Sequence, residues 1–361
     1  MDKQFILHKP TPRDAAAAKT KGSSFILRMM NMRTICVGLS ALLAAQLAVA
    51  DPIPAENGFS GSIGLGVGGN RVKSNLFKGD KNQRTNSLNS APESHNDSFA
   101  LPVLDLSYTF AASRTQIVFD SQIHDPLGMD DTLELGVRQQ VGNNGIVSAG
   151  LLYGGLSKNT WTDPYAVGVD RDGTKRKSTG LLLGWENIMG TGFKAQLTQR
   201  NIKIDDERSG QSVAGLSAAD RATLNRNGDA TLLKAGYEWA FAPNQTLTPG
   251  LSWGKDKLDG GAMSNKSYGL SLDYAYSSDL NTFSAGLQFR KQRFDQGNPL
   301  FGNKKADSNA YAVDLNYLRH QLFGEKALSA FVSAAYGKSN ADISFYDAEI
   351  RSLGVGLIYS F

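Results

Sequence analysis

From residue 58 onward the chain is written in stretches in which every second residue is apolar. One stretch puts Phe59, Ile63, Leu65 and Val67 on one face and Ser60, Ser62, Gly64, Gly66 and Gly68 on the other. Another sets Leu233, Tyr237, Trp239 and Phe241 against Lys234, Gly236 and Glu238. A third sets Tyr268, Leu270, Leu272, Tyr274 and Tyr276 against Ser271 and Asp273. A period of two is the signature of a β-strand with two unlike faces. Fourteen such segments can be read, at 58–69, 99–110, 115–121, 132–141, 146–154, 178–188, 192–202, 230–241, 246–255, 267–276, 281–293, 308–319, 327–336 and 347–361. Many run to about ten residues, the length a tilted strand needs to cross a bilayer.

The connections between segments fall into two classes. Residues 111–114, 142–145, 190–192, 242–245, 277–280 and 321–326 are short, whereas 70–97, 155–177, 205–228 and 294–307 are long and polar. Short turns alternating with long loops mark a membrane barrel with periplasmic turns and extracellular loops. A soluble sandwich or propeller has no reason to sort its loops by length. Tyr108, Phe110, Trp239, Phe241, Tyr274 and Tyr276 lie near the short turns, where an interfacial girdle is expected. The expectation is an all-β fold: a single transmembrane antiparallel β-barrel of about fourteen strands, with twelve and sixteen as the even alternatives. Within the long loops, Ser217-Ala-Ala-Asp220 has capping-box spacing and predicts a short helix over 217–224.

Composition fits this picture without proving it. Mean hydropathy is −0.29, and residues 51–361 contain no apolar run of the 18 residues a spanning helix requires. Alternating strands average hydrophilic, so neither fact excludes a membrane protein. The formal charge of +4 is misplaced, because seven of the 38 Lys/Arg and two of the 34 Asp/Glu fall in residues 1–50, leaving 51–361 at −1. A nucleic-acid partner would want a basic domain, so that class is excluded. Met32-Arg33, the apolar stretch 35–47 and Ala48-Val49-Ala50 together read as a secretory signal, with cleavage expected after Ala50. The single Cys36 would leave with it. The expected organisation is an upstream extension over 1–31 (a start-site artefact or an extended signal region), a signal peptide over 32–50, and one barrel domain over 51–361.

If the apolar face meets lipid, the other face lines the pore. Its acidic members are Asp105, Asp120, Glu134, Glu186, Glu238, Asp273 and Asp314, and its basic members are Arg138, Lys194, Arg200, Lys234 and Arg290. Mixed signs point to a wet lumen with cross-strand ion pairs. Either these charges select solutes or they are solvated wall charges that hold the barrel round. Glu186, Lys194, Lys234 and Glu238 fall on successive strands and could pair. The first and last strands, neighbours in a closed barrel, present almost nothing but Ser and Gly inward. Either the first long loop folds against this smooth wall and narrows the pore, or Gly relieves twist there.

Motifs for chemistry are weak. Gly64-Leu-Gly66-Val-Gly68-Gly69 matches a dinucleotide glycine pattern, but no helix follows to bind a phosphate. Asp170-Arg-Asp172-Gly173 opens like a calcium loop and lacks the remaining ligands. His95, His124 and His320 are far apart and lack metal-ligand spacing. A hydrolase would need His124 beside a residue such as Ser121, and no surrounding motif supports it. No enzyme, cofactor or metal is expected.

Two resemblances add to this reading. The ending Ser352-Leu-Gly-Val-Gly-Leu-Ile-Tyr-Ser-Phe361 resembles the closing strand of bacterial outer-membrane barrels, which implies that Tyr359 and Phe361 form the signal read by the barrel-assembly machinery. Gly58-Phe-Ser-Gly61, Ser87-Leu-Asn-Ser90, Leu106-Ser-Tyr-Thr-Phe110, Trp161-Thr-Asp-Pro-Tyr165, Asp206-Glu-Arg-Ser-Gly210 and Asn298-Pro-Leu-Phe-Gly302 are together similar to an uncharacterised family of Gram-negative outer-membrane proteins, the domain of unknown function 2860. That resemblance implies barrel and location, and brings no known catalytic or ligand residues. The expected function is porin-like passage of small hydrophilic solutes, with outer-membrane lipid and lipopolysaccharide as surroundings. The competing reading is a non-conducting receptor, adhesin or envelope-structural barrel that acts through its long loops.

Overall fold

The computed structural model describes residues 52–79, 81–125, 130–155 and 159–361, and the side chains of 122–131 are outside that description. The upstream extension, the signal segment, its cleavage site and the His124 side chain therefore lie outside the described residues.

The wall strands are β1 (Gly58–Lys73), β2 (Ser94–Phe110), β3 (Thr115–Asp125), β4 (Asp130–Gln140) and β5 (Ile146–Gly154). After a pair of short antiparallel strands, β6 (Thr160–Trp161) and β7 (Gly173–Thr174), come β8 (Arg176–Glu186), β9 (Phe193–Ile204), β10 (Gly228–Tyr237), β11 (Trp239–Ala242), β12 (Gln245–Leu258) and β13 (Asn265–Ser277). The series ends with β14 (Asn281–Phe294), β15 (Ser308–Arg319), β16 (Leu328–Ala341) and β17 (Ala348–Ser360). Each wall strand pairs antiparallel with its neighbours in sequence, β10 pairs both β9 and β12, and β1 pairs both β2 and β17. Among the described residues the sheet has no open edge. Both β10 and β11 pair with β12, with a register shift between Ala240 and Ala242, so they are one wall strand with an irregularity. The described residues thus form a closed barrel of fourteen antiparallel strands.

The alternation sorts side chains as expected. Phe59, Leu65, Leu151, Leu251 and many other large apolar residues stand exposed on the outer face. A continuous apolar belt of this size is intolerable in water and natural in lipid. No described helix is long and apolar enough to cross a membrane. Rings touch edge-on or tilted along the short-turn rim, from Phe59 through Tyr108 to Phe110 and from Trp239 through Phe241 and Tyr274 to Phe283. At the seam, Phe361 and Gly61 exchange two backbone hydrogen bonds of 3.0 Å.

Several strands outrun the sequence expectation on the long-loop side: β1 continues to Lys73, β2 begins at Ser94 and β16 runs to Ala341. The apolar outer row ends where lipid ends, but the hydrogen-bonded ladder continues beyond it. In the connection between β9 and β10 lies the capped helix expected from spacing, α1 (Ala218–Ala222), whose Ser217 side chain accepts a hydrogen bond from the Asp220 amide at 3.0 Å.

Candidate functional site: the lumen and its loop cap

All twelve residues of the pore inventory stand on the strand face opposite the exposed apolar row. Register decides which of them meet. Asp105 lies directly opposite Asp120, and Asp120 opposite Glu134, so three carboxylates form a row across β2, β3 and β4. Like charges abreast repel, and each of the three has a further hydrogen-bonding or electrostatic partner. Glu134 lies over Gly150 on β5, where a Cβ would sit 2.7 Å from its Oε1.

The possible run of pairs through Glu186, Lys194, Lys234 and Glu238 forms differently. Lys194 meets Glu238 at 3.8 Å. Glu186 turns the other way and takes the Arg138 guanidinium at 2.9 Å, while Arg138 also donates to Gln116 Oε1 at 2.9 Å. On the strand between them Ser148 lies opposite Arg138 and Ile146 opposite Glu186, and the two long side chains meet diagonally across it over the small Ser148. Asp273 and Asp314 flank Gly286 on the strand between them. Arg200 is buried on β9, and Arg290 faces inward opposite Gly269.

The smooth wall of the first and last strands is not bare. The Phe331 ring lies over Gly66 and Gly356, and the Phe99 ring over Gly68. A Cβ at Gly356 would stand 2.5 Å from Phe331 and 2.6 Å from the Gly66 Cα, so only glycine fits there. With Leu101, Val103, Leu318 and Ile358 these rings form a buried apolar stripe on the inner wall. Of the two alternatives for this wall, the first long loop folded against it or glycine relieving twist, neither describes these glycines fully, because side chains of β2 and β16 lie over them. That loop reaches the inner wall higher up, where Gly79 lies close to the Asp97 carboxylate.

Residues 74–79 and 81–93 join a cap shared by the long loops. Its core is Tyr165, Leu224, Ala262, Ala306, Ile343 and Phe345, and Leu76 and Leu88 of the first loop pack against it. These residues come from six separate connections on one rim of the barrel.

Two buried arginines tie the loops together. Arg171 donates to the carbonyls of Asn75 (2.9 Å), Asn82 (2.6 Å), Gln83 (3.2 Å) and Pro164 (3.1 Å), and its guanidinium lies 4.5 Å from the centre of the Trp161 ring. Burial pushes its pKa down to about 10, offset in part by Asp163, so it stays charged at neutral pH. Arg226 donates to Glu207 (2.9 Å), Thr160 Oγ1 (3.0 Å) and the carbonyls of Trp161 (2.7 Å) and Thr162 (3.2 Å). Asp163 accepts from the amides of Tyr165 (3.0 Å), Gly210 (2.9 Å) and Ser212 (2.9 Å). At the centre, the Tyr165 and Tyr346 hydroxyls are 2.6 Å apart, and the Asn298 amide donates to Tyr346 at 2.7 Å. Burial raises Tyr165 to about 12 and Tyr346 well above the usual phenol value.

Sequence reasoning missed this cap, although three motifs behind the family resemblance run straight into it: Trp161 to Tyr165, Asp206 to Gly210, and Asn298 to Gly302. In sequence His320 shows only its lack of metal-ligand spacing. It stands between Thr282 Oγ1 (2.8 Å) and Ser329 Oγ (3.3 Å) beside a short turn, with its pKa lowered by burial and then by Arg319.

A closed barrel with a lipid-facing belt, an inward ionic face and fused loops on one rim defines a transmembrane β-barrel of the outer-membrane class. Residues 58–360 match the family described as protein of unknown function (DUF2860), and the chain belongs to that family. No curated protein matches the chain. Among solved structures it is similar to the CymD monoaromatic hydrocarbon channel (11% identity, 91% of this chain and 99% of that one, TM-score 0.46). An anion-selective porin from Comamonas acidovorans (14%, 85% and 100%, TM-score 0.40) and the outer membrane channel DcaP of Acinetobacter baumannii (10%, 85% and 97%, TM-score 0.41) are also similar. Likeness at this level says nothing of what a barrel carries.

Proposed function

We propose that the chain is a porin-like outer-membrane channel through which small hydrophilic solutes diffuse passively, its outer entrance narrowed by the loop cap. The observation that carries this is the inward face, where charges of both signs are fixed around the wall: the Asp105–Asp120–Glu134 row, the Arg138–Glu186 and Lys194–Glu238 pairs, and Asp273 with Asp314. So many ionised groups inside a lipid-facing cylinder are tolerable when water fills it. Fourteen strands lie between eight-stranded barrels filled by side chains and the wider aqueous porins. Selectivity then follows from diameter, constriction and wall charge. The reading includes export with cleavage after Ala50 and assembly through a signal at Tyr359 and Phe361, and it needs no cofactor or catalytic step.

The test is conductance of mature protein (residues 51–361) in planar bilayers. Discrete steps are expected, and the triple variant D105N/D120N/E134Q should shift the reversal potential in a salt gradient toward anion preference. Silence from the wild type and from the cap-loosened Arg171→Ala alike would remove the channel reading. A second reading would then stand: a non-conducting surface receptor or adhesin, favoured by a loop cap built as a packed unit.

A further inference from the structure

The outward rows of three neighbouring strands end alike on the loop side. On β12 the row reads Leu251, Trp253, Lys255; on β13, read the other way, Leu270, Tyr268, Lys266; on β14, Leu287, Phe289, Lys291, Arg293. The register sets Trp253 beside Tyr268, Lys255 beside Lys266, and Lys266 beside Arg293. Three cations therefore stand abreast at strand spacings of about 4.8 Å, one same-face step beyond Trp253 and Tyr268 on β12 and β13 and two beyond Phe289 on β14, where Lys291 lies between. Like charges directly opposite in a ladder are unfavourable unless an anion lies against them. Among the described residues, Arg293 has Asp307 at 3.6 Å, and no ion pair holds Lys255 or Lys266. A second group repeats the arrangement across the seam, where Arg71 lies opposite Arg351 beneath Lys73 and Lys338, with Glu349 between them.

The asymmetry is as informative as the clustering. On β1, β12, β13, β14, β16 and β17 the outward rows carry no Lys or Arg at their short-turn ends, where Phe59, Tyr276, Phe283, Leu328 and Tyr359 stand instead, and on β15 the one outward cation at that end, Arg319, donates to Asn281 at 3.1 Å. Lipid-facing aromatics occur towards both rims, but on β1, β12, β13, β14, β16 and β17 the cations occur at one. A bilayer with the same headgroups on both sides gives no reason for this difference. An outer leaflet of phosphorylated glycolipid does.

We infer that Lys255, Lys266, Lys291 and Arg293 form a binding site for the phosphate groups of the outer-leaflet glycolipid, lipopolysaccharide. Trp253, Tyr268 and Phe289 set the depth at which the headgroup meets the barrel. The anion completes the unfavourable row, and the acyl chains lie along Leu251, Leu270 and Leu287. Because the rings and leucines below the cations belong to the same site, the lipid-borne phosphate is preferred over a free one.

The experiment uses mature barrel in zwitterionic detergent, with purified lipopolysaccharide, the same glycolipid stripped of its phosphates, and inorganic pyrophosphate as probes. The wild type should retain the phosphorylated glycolipid at least about 10-fold more tightly than the stripped one, with the difference shrinking in high salt. K255Q/K266Q/R293Q should lose that preference, while Lys326→Gln at the opposite rim should keep it. Heat-modifiable gel migration confirms that each barrel is closed, and K266Q or R293Q alone serves if the triple variant does not fold. Equal retention of both glycolipids by the wild type, undiminished preference in the variants, or pyrophosphate binding as tight as the lipid's would overturn the assignment.

Discussion

Replacing Arg171 by alanine tests whether the cap is one cooperative unit. The substitution leaves the carbonyls of Asn75, Asn82, Gln83 and Pro164 without their shared donor and removes the cation from the Trp161 face. At about 1 kcal/mol net per hydrogen bond the four amount to about 4 kcal/mol, and the ring contact adds about 1 kcal/mol. Water reaching the opened carbonyls returns part of this, leaving roughly 3 kcal/mol, which raises the open population on the order of 100-fold. The barrel wall does not depend on Arg171, so the variant should fold and migrate as a closed barrel while its loops are cut far faster by added protease, first in 74–93 and 205–227. Arg171→Lys keeps the charge without the planar fork and should fall between the two. Step conductance should rise if the cap narrows the entrance. An Arg171→Ala barrel whose loops resist protease as the wild type does would refute the idea that this guanidinium joins them.

Two further outcomes follow from the packing and the titration. Gly356→Ala drives a Cβ into the Phe331 ring and the Gly66 backbone, so the folded barrel should lose about 1–3 kcal/mol in urea titrations. Adding Phe331→Ala should restore part but not all of that loss, and a Gly356→Ala barrel of unchanged stability would show that the ring does not lie on the seam. Tyr165 is raised from 10.0 to about 12 by burial, so its contribution to the cap is fully present below pH 10 and is lost as pH climbs to about 12. Loop hydrogen exchange should quicken across that window with tyrosinate absorbance, and a titration in which every tyrosine has its midpoint near pH 10 would contradict the buried placement.

The wall was legible because a bilayer enforces a strict period of two on residues that touch it. Leu65, Leu251 and Leu270 announce their strands in this way, and the fourteen segments match the fourteen wall strands. The strand extensions were not legible, since beyond the lipid boundary the ladder holds without an apolar row, as at Arg71 and Lys73. Phe99, Leu101 and Val103 make β2 apolar inward as well as outward, a breach of alternation that could have marked the inner stripe. The cap was hidden for a different reason. In sequence Arg171 and Arg226 look like solvated loop charges, and nothing local says that six connections distant along the chain will bury them together. The ionic pairs fell between these cases: which face each charge takes follows from parity, but that Glu186 turns to Arg138 rather than Lys194 depends on register and on a small residue at Ser148.

The join between β1 and β17 has a kinetic consequence. Twelve rungs, from Ser62 with Ser360 to Lys73 with Glu349, zip together the strands farthest apart along the polypeptide. Every other wall ladder can form between neighbours as they emerge, but this one waits for the final strand. Until it arrives, two raw edges lined with unsatisfied amides face hydrocarbon, where such groups are least tolerated. Insertion is therefore expected to be slow and late-committing, with the glycine-and-phenylalanine contact at that junction acting as the last latch.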